Sequence, residues 1–275
     1  MKKKKVLVSF SGGRTSAFLA QYLKEKSKDE LCFVFANTGK ELPETLDFIN
    51  ECDLRWGLGV HWIEYDPQKE HGKKNWFKVV DYKTASRNGQ PFDKFIKKER
   101  LPNAAYPNCS GRLKQYPIHN FVKHYIGWSD YYTAIGIRYD EKQRINWEVA
   151  NKNKYIYPLT TDFPIDKKYI RSWWDNQDFD LGLKDYQGNC DFCWKKSDRK
   201  LVTMLRDGYD IDWWVKHEIN NDYSFFRNNK TALDLIEMSK DNRIRSVEDE
   251  HKINKMQKTI FDDLDIEGRC LCNFE

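Results

Sequence analysis

Residues 6–26, VLVSFSGGRTSAFLAQYLKEK, contain the pattern that decides the fold. The first five form a short apolar run that predicts a buried β-strand. Residues 15–26 carry apolar side chains at helical spacing, and a pair of glycines separates the two segments. A strand, a glycine turn and a helix in this order are typical of a parallel sheet with crossover helices.

The same alternation continues through the first half of the chain. Further strands are predicted at residues 31–36, 60–65 and 131–137, and further helices at 43–56 and 112–126. Residues 67–107 are charged and interrupted by glycine and proline, which predicts an inserted loop region. From about residue 157 helices dominate, and the clearest are predicted at 197–206, 231–239 and 247–261.

These elements predict an α/β fold, with an open, mostly parallel sheet and flanking helices, followed by a smaller helical C-terminal region. We place the domain boundary at residue 160, which gives an α/β domain over 1–160 and a helical, cysteine-bearing region over 161–275. The 275 residues are 40% hydrophobic and 15% aromatic, which is ample material for such cores.

Composition excludes several classes of protein. The 14 glycines and 8 prolines follow no period and the 32% of charged residues are mixed in sign, which excludes collagen-like and broadly disordered chains. No apolar run approaches the roughly 20 residues that span a bilayer. The lysines at positions 2–5 supply most of the net charge of +5, and the apolar run after them is too short for a secretory signal. We expect a cytoplasmic protein without a membrane partner.

The loop between the first strand and the first helix has the composition of an anion-binding turn. Two glycines permit a tight turn with backbone N–H groups directed inward, and the helix adds the positive end of its dipole. We predict a phosphate site here, with an ordinary strand-to-helix turn as the alternative. The residues concerned are Ser11, Gly12, Gly13, Arg14, Thr15 and Ser16.

Two more predicted strands end in polar segments that contain glycine. One segment holds Asn37, Thr38 and Gly39, and the other holds Gly136 and Arg138. Ligands of open parallel sheets collect at the carboxyl ends of strands where the strand order reverses, so three such ends predict one shared pocket. Arg138 is then a candidate partner for a phosphate or sulfate group, and a surface arginine is the alternative.

Cysteine spacing indicates a metal site. Cys190 and Cys193 are two residues apart, which lets both thiolates reach one metal, and Cys270 and Cys272 offer one or two more ligands. The seven cysteines are odd in number and irregularly spaced, so a disulfide framework is not expected. The spacing is compatible with a [4Fe-4S] cluster and with a structural Zn²⁺.

Two groups of residues are predicted to be core rather than functional. Cys32 and Cys52 lie beside apolar residues, where cysteine behaves as a small hydrophobe. The aromatic pairs at 173–174, 213–214 and 225–226 are expected to pack inward, with stacking on a nucleobase as the alternative.

The motifs resemble a known family when they are taken in order. Residues 11–16 resemble the pyrophosphate-binding loop of the adenine nucleotide alpha-hydrolase (PP-loop) superfamily. Residues 37–45, NTGKELPET, resemble the D-T-G-x-x-x-P-E-T segment of phosphoadenosine phosphosulfate (PAPS) reductases, and residues 136–141 are similar to their G-x-R-x-x-E segment. The resemblance implies a HUP-like fold over about the first 160 residues and a bound adenine nucleotide, ATP or PAPS. Its phosphates would lie on Ser11, Gly12, Gly13 and Ser16.

The resemblance extends to the cysteines. Residues 109–117 resemble the C-x-x-x-x-K-x-x-P segment around a cluster cysteine in the iron–sulfur reductases of this family. This implies that Cys109, Cys190, Cys193 and Cys272 hold a [4Fe-4S] cluster, with Zn²⁺ as the alternative. Cys270 is then the thiol that accepts or delivers sulfur, unless the two tail cysteines exchange roles. Cys270 and Arg138 are the catalytic residues that this interpretation implies.

The chain departs from the family pattern at four points. Thr15 stands where the ATP-using branches usually carry aspartate, and Asn37 stands where the reductases usually carry aspartate. Ser110 follows Cys109 where cluster-bearing reductases usually have a second cysteine. The end of the chain lacks the E-C-G-x-H segment that supplies the nucleophilic thiol of the reductases.

Three functions are consistent with this sequence. The leading hypothesis is a PAPS reductase-family enzyme that acts in sulfonucleotide reduction or sulfur transfer, with an electron or sulfur donor protein as partner. The second is an ATP-dependent sulfurtransferase that adenylates an RNA or DNA base and delivers sulfur to it, favoured by the glycine pair. The third is a zinc-stapled nucleic-acid-binding protein, which predicts steeply salt-dependent binding and no nucleotide turnover.

Overall fold

Strands and helices alternate from the start of the chain in the computed structural model, which describes residues 3–67, 69–70, 73–74, 76–188 and 190–247. In chain order the first elements are β1 (Lys5–Ser9), α1 (Arg14–Lys26), β2 (Glu30–Asn37), α2 (Pro43–Trp56) and β3 (His61–Tyr65). Their predicted bounds are confirmed to within one residue at each end. Pro43 suits the first turn of α2 because that position needs no N–H donor, and Gly57 ends the helix in the left-handed conformation.

Residues 67–107 are not an inserted loop, and that prediction is wrong. They contain β4 (Lys69–Glu70), β5 (Lys73–Lys74), β6 (Phe77–Val80) and α3 (Gln90–Lys98). β6 pairs antiparallel with β3, and α3 buries Phe92, Phe95 and Ile96 at helical spacing. Two of the glycines and prolines that suggested a loop, Gly89 and Pro91, stand where this helix begins.

The helix predicted over 112–126 is confirmed as one helical segment with an unexpected geometry. It consists of a π-helical turn (Gly111–Gln115), α4 (Tyr116–Phe121) and a second π-helical turn (Val122–Ile126). Ile118, Phe121 and Val122 pack in one cluster with Leu7, Val34 and Ile63 of the sheet.

The remaining elements of the first half follow this segment. They are β7 (Tyr132–Ala134), a 3-10 turn (Tyr139–Arg144), α5 (Trp147–Asn153), β8 (Tyr155–Ile156), α6 (Pro158–Thr161) and α7 (Lys167–Asp175). β7 is shorter than the strand predicted over 131–137, because the chain turns where Ile137 N–H donates to the carbonyl of Ile135.

The six-stranded sheet has the order β6-β3-β2-β1-β7-β8. Every described pair in it is parallel except β3 with β6. The chain proceeds from β1 through β2 to β3 on one side and returns to place β7 and β8 on the other. The strand order therefore reverses between β1 and β7, the position at which open α/β sheets bind ligands.

Both cysteines predicted as core residues are buried. Cys32 lies in β2 and Cys52 in α2, and the two are at most 5% exposed. Burial, with a smaller effect of nearby carboxylates, raises the pKa of Cys32 to about 12, and burial also raises the pKa of Cys52. These thiols are protonated and inert at neutral pH, so the prediction is confirmed.

Aromatic side chains join α7 to α1 and α2. The Trp173 ring lies edge-on to Phe18 with centroids 5.1 Å apart, and Trp174 lies 5.0 Å from Phe48. Trp174 is buried, and its indole N–H donates to the backbone carbonyl of Arg14 at 3.1 Å. The prediction that this pair packs inward is confirmed for Trp174.

The backbone groups into two compact units. The first comprises the described residues up to Phe95 together with Cys109–Leu183, and the second comprises Ile96–Asn108 and the described residues from Lys184 onward. These two units are defined by which residues lie close together, not by what the residues do. The division at residue 160 into a nucleotide-binding and a cysteine-bearing domain is a statement about function and stays a prediction.

The second unit is helical, as predicted for this part of the chain. It contains α8 (Asp198–Arg206), α9 (Asp212–Asn221), a 3-10 turn (Arg227–Asn229) and α10 (Ala232–Lys240). Ser197 caps α8, and Thr231 with Asp234 forms a capping box on α10. The helix predicted over 247–261 lies outside the described residues except for its first position.

The core of the second unit includes the aromatic residues predicted to pack inward. Trp214 stacks on Phe225 with ring centroids 4.1 Å apart, and Phe226 lies against Phe225. The buried Glu218 carboxylate accepts the backbone N–H groups of Phe225 and Ala232, each at 2.6 Å. Burial raises the pKa of Glu218. This carboxylate holds the loop between α9 and α10 in place.

Across the described part of the chain, no helix combines the length and apolar character that a bilayer span requires.

Candidate active site

The loop between β1 and α1 is pressed against α2. Gly12 has φ +80°, and a Cβ atom at this position would lie 2.6 Å from Thr45 Cγ2 and 2.8 Å from Ile49 Cδ1. Only glycine combines this backbone conformation with this approach. Gly13 is the N-cap of α1, and among the described residues no side chain caps this helix. The positive end of α1 therefore faces the loop without a capping side chain.

Two serine hydroxyls bridge the same loop. Ser11 Oγ donates to Ser16 Oγ at 3.0 Å, and Ser16 Oγ donates to the carbonyl of Gly13 at 2.9 Å. Both hydroxyls are thus held beside the start of α1, where an anion would meet them.

The end of β7 meets the start of α1. A Cβ atom at Gly136 would lie 3.4 Å from Ser16 Cα, so the two backbones pass in close contact. Arg138 Nη1 donates to Thr15 Oγ1 at 3.0 Å. Two of the three predicted strand ends are therefore joined at the point where the strand order reverses.

Arg138 is mostly buried and sits between two carboxylates. Its side chain is 12% exposed, with Nε 3.0 Å from Asp140 Oδ1 and Nη1 3.2 Å from Glu141 Oε2. These contacts fix the planar guanidinium against α1 instead of leaving it on an outer surface. Thr15 stands where ATP-using relatives usually carry aspartate, so its hydroxyl accepts from Arg138 without adding a third negative charge.

Arg14 extends toward the segment that follows α7. Its guanidinium forms two hydrogen bonds with the Asp180 carboxylate, one of them 2.6 Å from Nε to Oδ1, and Nη1 donates to the carbonyl of Leu183 at 3.0 Å. Burial raises the pKa of Asp180, but the hydrogen bond and charge of Arg14 outweigh this and hold it below its usual value. The predicted role of Arg14 with phosphate stays a prediction.

Asn37 ends β2 in a fully buried amide network. Asn37 Nδ2 donates to Glu64 Oε1 at 2.7 Å and to the carbonyl of Ser86 at 2.8 Å, and its Oδ1 accepts from the N–H of Gly39. Glu64 Oε1 also accepts the Ser86 N–H at 2.6 Å. This pairing accounts for asparagine where the reductases usually carry aspartate, because a carboxylate could not donate to Glu64.

The segment after β2 is tied to the segment that carries Cys109. Thr38 donates to Glu41 Oε2 from its N–H at 2.9 Å and from its hydroxyl at 2.7 Å. Lys114 Nζ lies 3.2 Å from the other oxygen, Oε1, of the buried Glu41 carboxylate. The lysine of the C-x-x-x-x-K segment therefore belongs to the same edge of the sheet as Thr38.

The three strand ends lie at one edge because their strands run parallel. Direct contacts among the described residues join the ends of β1 and β7, whereas the end of β2 contacts β3 and the loop that carries Ser86 and Gly89. Gly39 packs directly against this loop, since a Cβ at position 39 would lie 2.8 Å from Ser86 Oγ. Sequence reasoning missed Glu64 and Asp180, which no motif marks.

The predicted metal ligands fall in different parts of the chain. Cys109 precedes the first π-helical turn in the first unit, and Cys190 and Cys193 lie in the second unit, all three partly exposed. Within the described ranges, no three His, Cys, Asp or Glu side chains form a metal-binding group. Cys270 and Cys272 lie outside the described residues. The four-thiolate set stays a prediction.

A buried lysine lies beside the Cys190–Cys193 turn. Lys196 is 7% exposed, and its ammonium donates to the carbonyl of Asp191 at 2.6 Å and to Met204 Sδ at 3.2 Å. Burial lowers the pKa of Lys196 to about 8, although the nearby Cys193, Asp191 and Cys190 favour its charged form. A cation in this position stabilises thiolates, which are the metal-binding form of cysteine.

Comparison with known proteins assigns the family. The sequence model of the phosphoadenosine phosphosulfate reductase domain matches residues 5–175. The chain belongs to the PAPS reductase domain family. The matched residues contain the loop at 11–16, the segment at 37–45, Cys109 and Arg138, whereas Cys190 and Cys193 lie beyond them.

Several relatives of this PAPS reductase-family chain have no assigned function. An uncharacterized nin region protein of Escherichia phage lambda is 34% identical over 206 residues, which are 73% of this chain and 69% of that protein. Two uncharacterized proteins of Methanocaldococcus jannaschii are 27% and 28% identical over 57% and 59% of this chain. The matches cover 32% and 29% of those archaeal proteins, so this chain spans about a third of their length.

One solved PAPS reductase also matches this family member. It is the Candida auris phosphoadenylyl-sulfate reductase in a phosphate complex, with a TM-score of 0.38 and 15% identity. The match covers 62% of this chain and 71% of that one.

Proposed function

We propose that this protein is an enzyme that binds an adenine nucleotide at the β1–α1 loop and acts in sulfonucleotide reduction or sulfur transfer. The observation that carries the proposal is the junction of β7 with α1, where Gly136 passes Ser16 and Arg138 contacts Thr15. This junction puts a mostly buried guanidinium beside the uncapped start of a helix, at the point where the strand order reverses.

Each part of this junction has a role with phosphate. The first N–H groups of α1 and the hydroxyls of Ser11 and Ser16 would hold the phosphate chain. Arg138 would contribute a planar cation that matches two oxygens of a phosphate or sulfate group. Asp140 and Glu141 compete for the same guanidinium, so nucleotide binding would exchange carboxylate contacts for phosphate contacts.

Cysteine thiolates would bind the metal centre of this protein, a [4Fe-4S] cluster or Zn²⁺. Cys190 and Cys193 fit this role because they are two residues apart and lie beside the Lys196 ammonium. Cys109 and one of Cys270 and Cys272 would complete the set. A [4Fe-4S] cluster bound there would supply electron transfer, whereas Zn²⁺ would be structural. An electron or sulfur donor protein and a cytoplasmic location belong to this proposal, since thiols persist in a reducing compartment.

ATP-dependent thiolation of RNA or DNA is the second candidate. The pair Gly12-Gly13 favours it, because the ATP-using branches share that pair, and the close contact of Gly12 with α2 requires glycine at the first of the two positions. In that case the loop would hold the pyrophosphate of ATP, and adenylation of a nucleic-acid base would release pyrophosphate.

A single set of assays separates these functions. The protein is purified without oxygen, its visible spectrum is recorded, and ATP or PAPS is supplied with a reductant. Sulfite and adenosine bisphosphate from PAPS would support sulfonucleotide reduction, and pyrophosphate release that requires RNA or DNA would support thiolation. A colourless zinc protein that binds nucleic acid but turns over neither nucleotide would contradict both.

Replacing Arg138 tests the nucleotide site itself. Arg138→Ala is expected to weaken binding of ATP or PAPS about 10-fold to 100-fold, because a charge-assisted hydrogen bond contributes about 1.5–3 kcal/mol. Isothermal titration calorimetry measures the change. Lys142→Ala is the matched control, since Lys142 is an exposed cation of the same 3-10 turn that bonds to Tyr139. Equal affinity of the Arg138 variant and the wild type would exclude Arg138 from the site.

Replacing single cysteines tests the thiolate set. Cys190→Ser and Cys193→Ser are each expected to lose most of the bound iron or zinc, measured by elemental analysis of protein purified without oxygen. Cys52→Ala is the control, because this buried thiol lies in the core of the first unit. Metal retained in full by both serine variants would contradict the assignment.

A further inference from the structure

A cavity lies beside β1, β7 and β8, and none of residues 11–16 lines it. Its volume is about 330 Å³. Its lining includes Lys4 before β1, Asp29 before β2 and Tyr132 at the start of β7, and it continues to Tyr157, Thr161 and Asp162, which follow β8. Loop 11–16 follows the carboxyl end of β1. The lining shares no residue with the proposed phosphate site, so the cavity is a separate candidate site.

The walls of this cavity are rich in aromatic rings. Tyr132, Trp147, Tyr155 and Tyr157 all line it. Trp147 is 49% exposed, and its ring lies edge-on to Tyr157 with centroids 5.8 Å apart. A half-exposed tryptophan on a cavity wall offers a flat apolar face that the core does not use. A planar aromatic ligand could stack there.

Two carboxylates and two ammonium groups lie in or near the cavity. Asp29 and Asp162 belong to the lining and are acceptors for amino groups. The Lys4 and Lys154 ammonium groups lie 5.3 and 5.8 Å from the centre of the Tyr132 ring. Lys154 also pairs with Asp130, and the Lys4 backbone N–H donates to Asp29 at 3.0 Å.

The lysine run near the start of the chain reaches this cavity. Lysines occupy positions 2–5 in a chain whose net charge is +5, and Lys4 of this run lines the cavity. One cation of this run, Lys4, therefore adjoins the aromatic walls. A ligand that combines a stacked ring bearing amino groups with a chain of negative charges matches both features.

We propose that this cavity binds a nucleobase of single-stranded nucleic acid, with the phosphate backbone on the lysines at its rim. The base would stack on Trp147, its amino groups would face Asp29 and Asp162, and Lys4 would contact a phosphate. A paired base inside a duplex cannot enter a cavity of this kind, so the single strand is preferred. This inference goes beyond the proposed function, which concerns the β1–α1 loop and Arg138, none of whose residues lines this cavity.

Fluorescence anisotropy with a labelled oligonucleotide of about 12 nucleotides tests the proposal. Trp147→Ala is expected to weaken binding about 10-fold, and Trp147→Phe less, because stacking on an aromatic ring is lost or reduced. Lys4→Ala should lower the slope of log affinity against log salt by about 0.7. Tyr125→Ala is the matched control, since Tyr125 is an exposed ring outside the cavity.

Several results would overturn the proposal. They are an absence of oligonucleotide binding at low salt, equal affinity of the Trp147→Ala variant with an unchanged circular dichroism spectrum, and equally tight binding of a duplex. Competition by free AMP at the same concentration as the oligonucleotide would assign the cavity to a mononucleotide instead. Arg138→Ala should leave oligonucleotide binding unchanged, so failure here and failure of the proposed nucleotide site are distinguishable.

Discussion

Gly12→Ala is expected to lower the free energy of unfolding by about 2–5 kcal/mol and to abolish measurable nucleotide binding. The left-handed backbone at φ +80° costs a residue with a Cβ about 1–2 kcal/mol. The new methyl group would lie 2.6 Å from Thr45 Cγ2 and 2.8 Å from Ile49 Cδ1, and overpacking of this kind costs a further 1–3 kcal/mol or so. Relief of the clash would move the loop away from α2 and displace its N–H groups.

Gly57→Ala separates these two costs. Gly57 also has a positive φ, +58°, but a Cβ atom there would meet nothing within 4 Å. This variant should therefore lose only the backbone contribution, about 1–2 kcal/mol, and retain nucleotide binding. Urea unfolding and calorimetry measure both effects. Equal stability of the two variants, with nucleotide binding intact in the Gly12 variant, would show that the loop is not held by its contact with α2.

Asn37→Asp is expected to destabilise the protein by about 3–5 kcal/mol at pH 8. The new carboxylate would face the Glu64 carboxylate across a gap that is now a 2.7 Å hydrogen bond, in a fully buried position. Asparagine donates across this gap, whereas an ionised aspartate can only repel. Two buried carboxylates this close cannot both remain charged, so one of them would take up a proton.

The pH dependence of this variant has a definite sign. In this variant, the pKa of the carboxyl pair formed by positions 37 and 64 would be raised in the folded state and would have its ordinary value in the unfolded state. The folded state then binds more protons between these two values, so stability relative to the wild type falls as pH rises through this range. The double variant Asn37→Asp with Glu64→Gln restores one donor and one acceptor and should recover most of the loss. An Asn37→Asp protein as stable as the wild type at pH 8 would contradict the network.

Much of the fold follows from local sequence patterns. The strands and helices up to residue 65 are set by apolar runs and by punctuation such as Pro43 and Gly57, which act within a few residues. The prediction of a loop at 67–107 is wrong because β6 is a short edge strand with two exposed residues. The apolar pattern of residues 77–80 does not by itself indicate that they pair with β3. The π-helical turns around α4 likewise carry no sequence signal.

The candidate site is predictable only in part, for a similar reason. The glycine loop, Asn37 and Arg138 follow strands, so the topology of a parallel sheet brings them to one edge. Glu64 and Asp180 carry no motif, and they act through contacts that span 27 and 166 residues of sequence. Such partners can be identified only from the folded structure. Each of these carboxylates nevertheless binds a residue that belongs to a motif, Glu64 to Asn37 and Asp180 to Arg14.

The contact between Arg14 and Asp180 bears on where this protein can be shortened. The family match ends at residue 175, which makes that position an inviting place for a stop codon. A product that ended there would keep residues 11–16, 37–45 and 136–141 but lose both Asp180 and Leu183, which accept hydrogen bonds from the Arg14 guanidinium. The residues that complete the contacts of Arg14 therefore extend beyond the matched family domain.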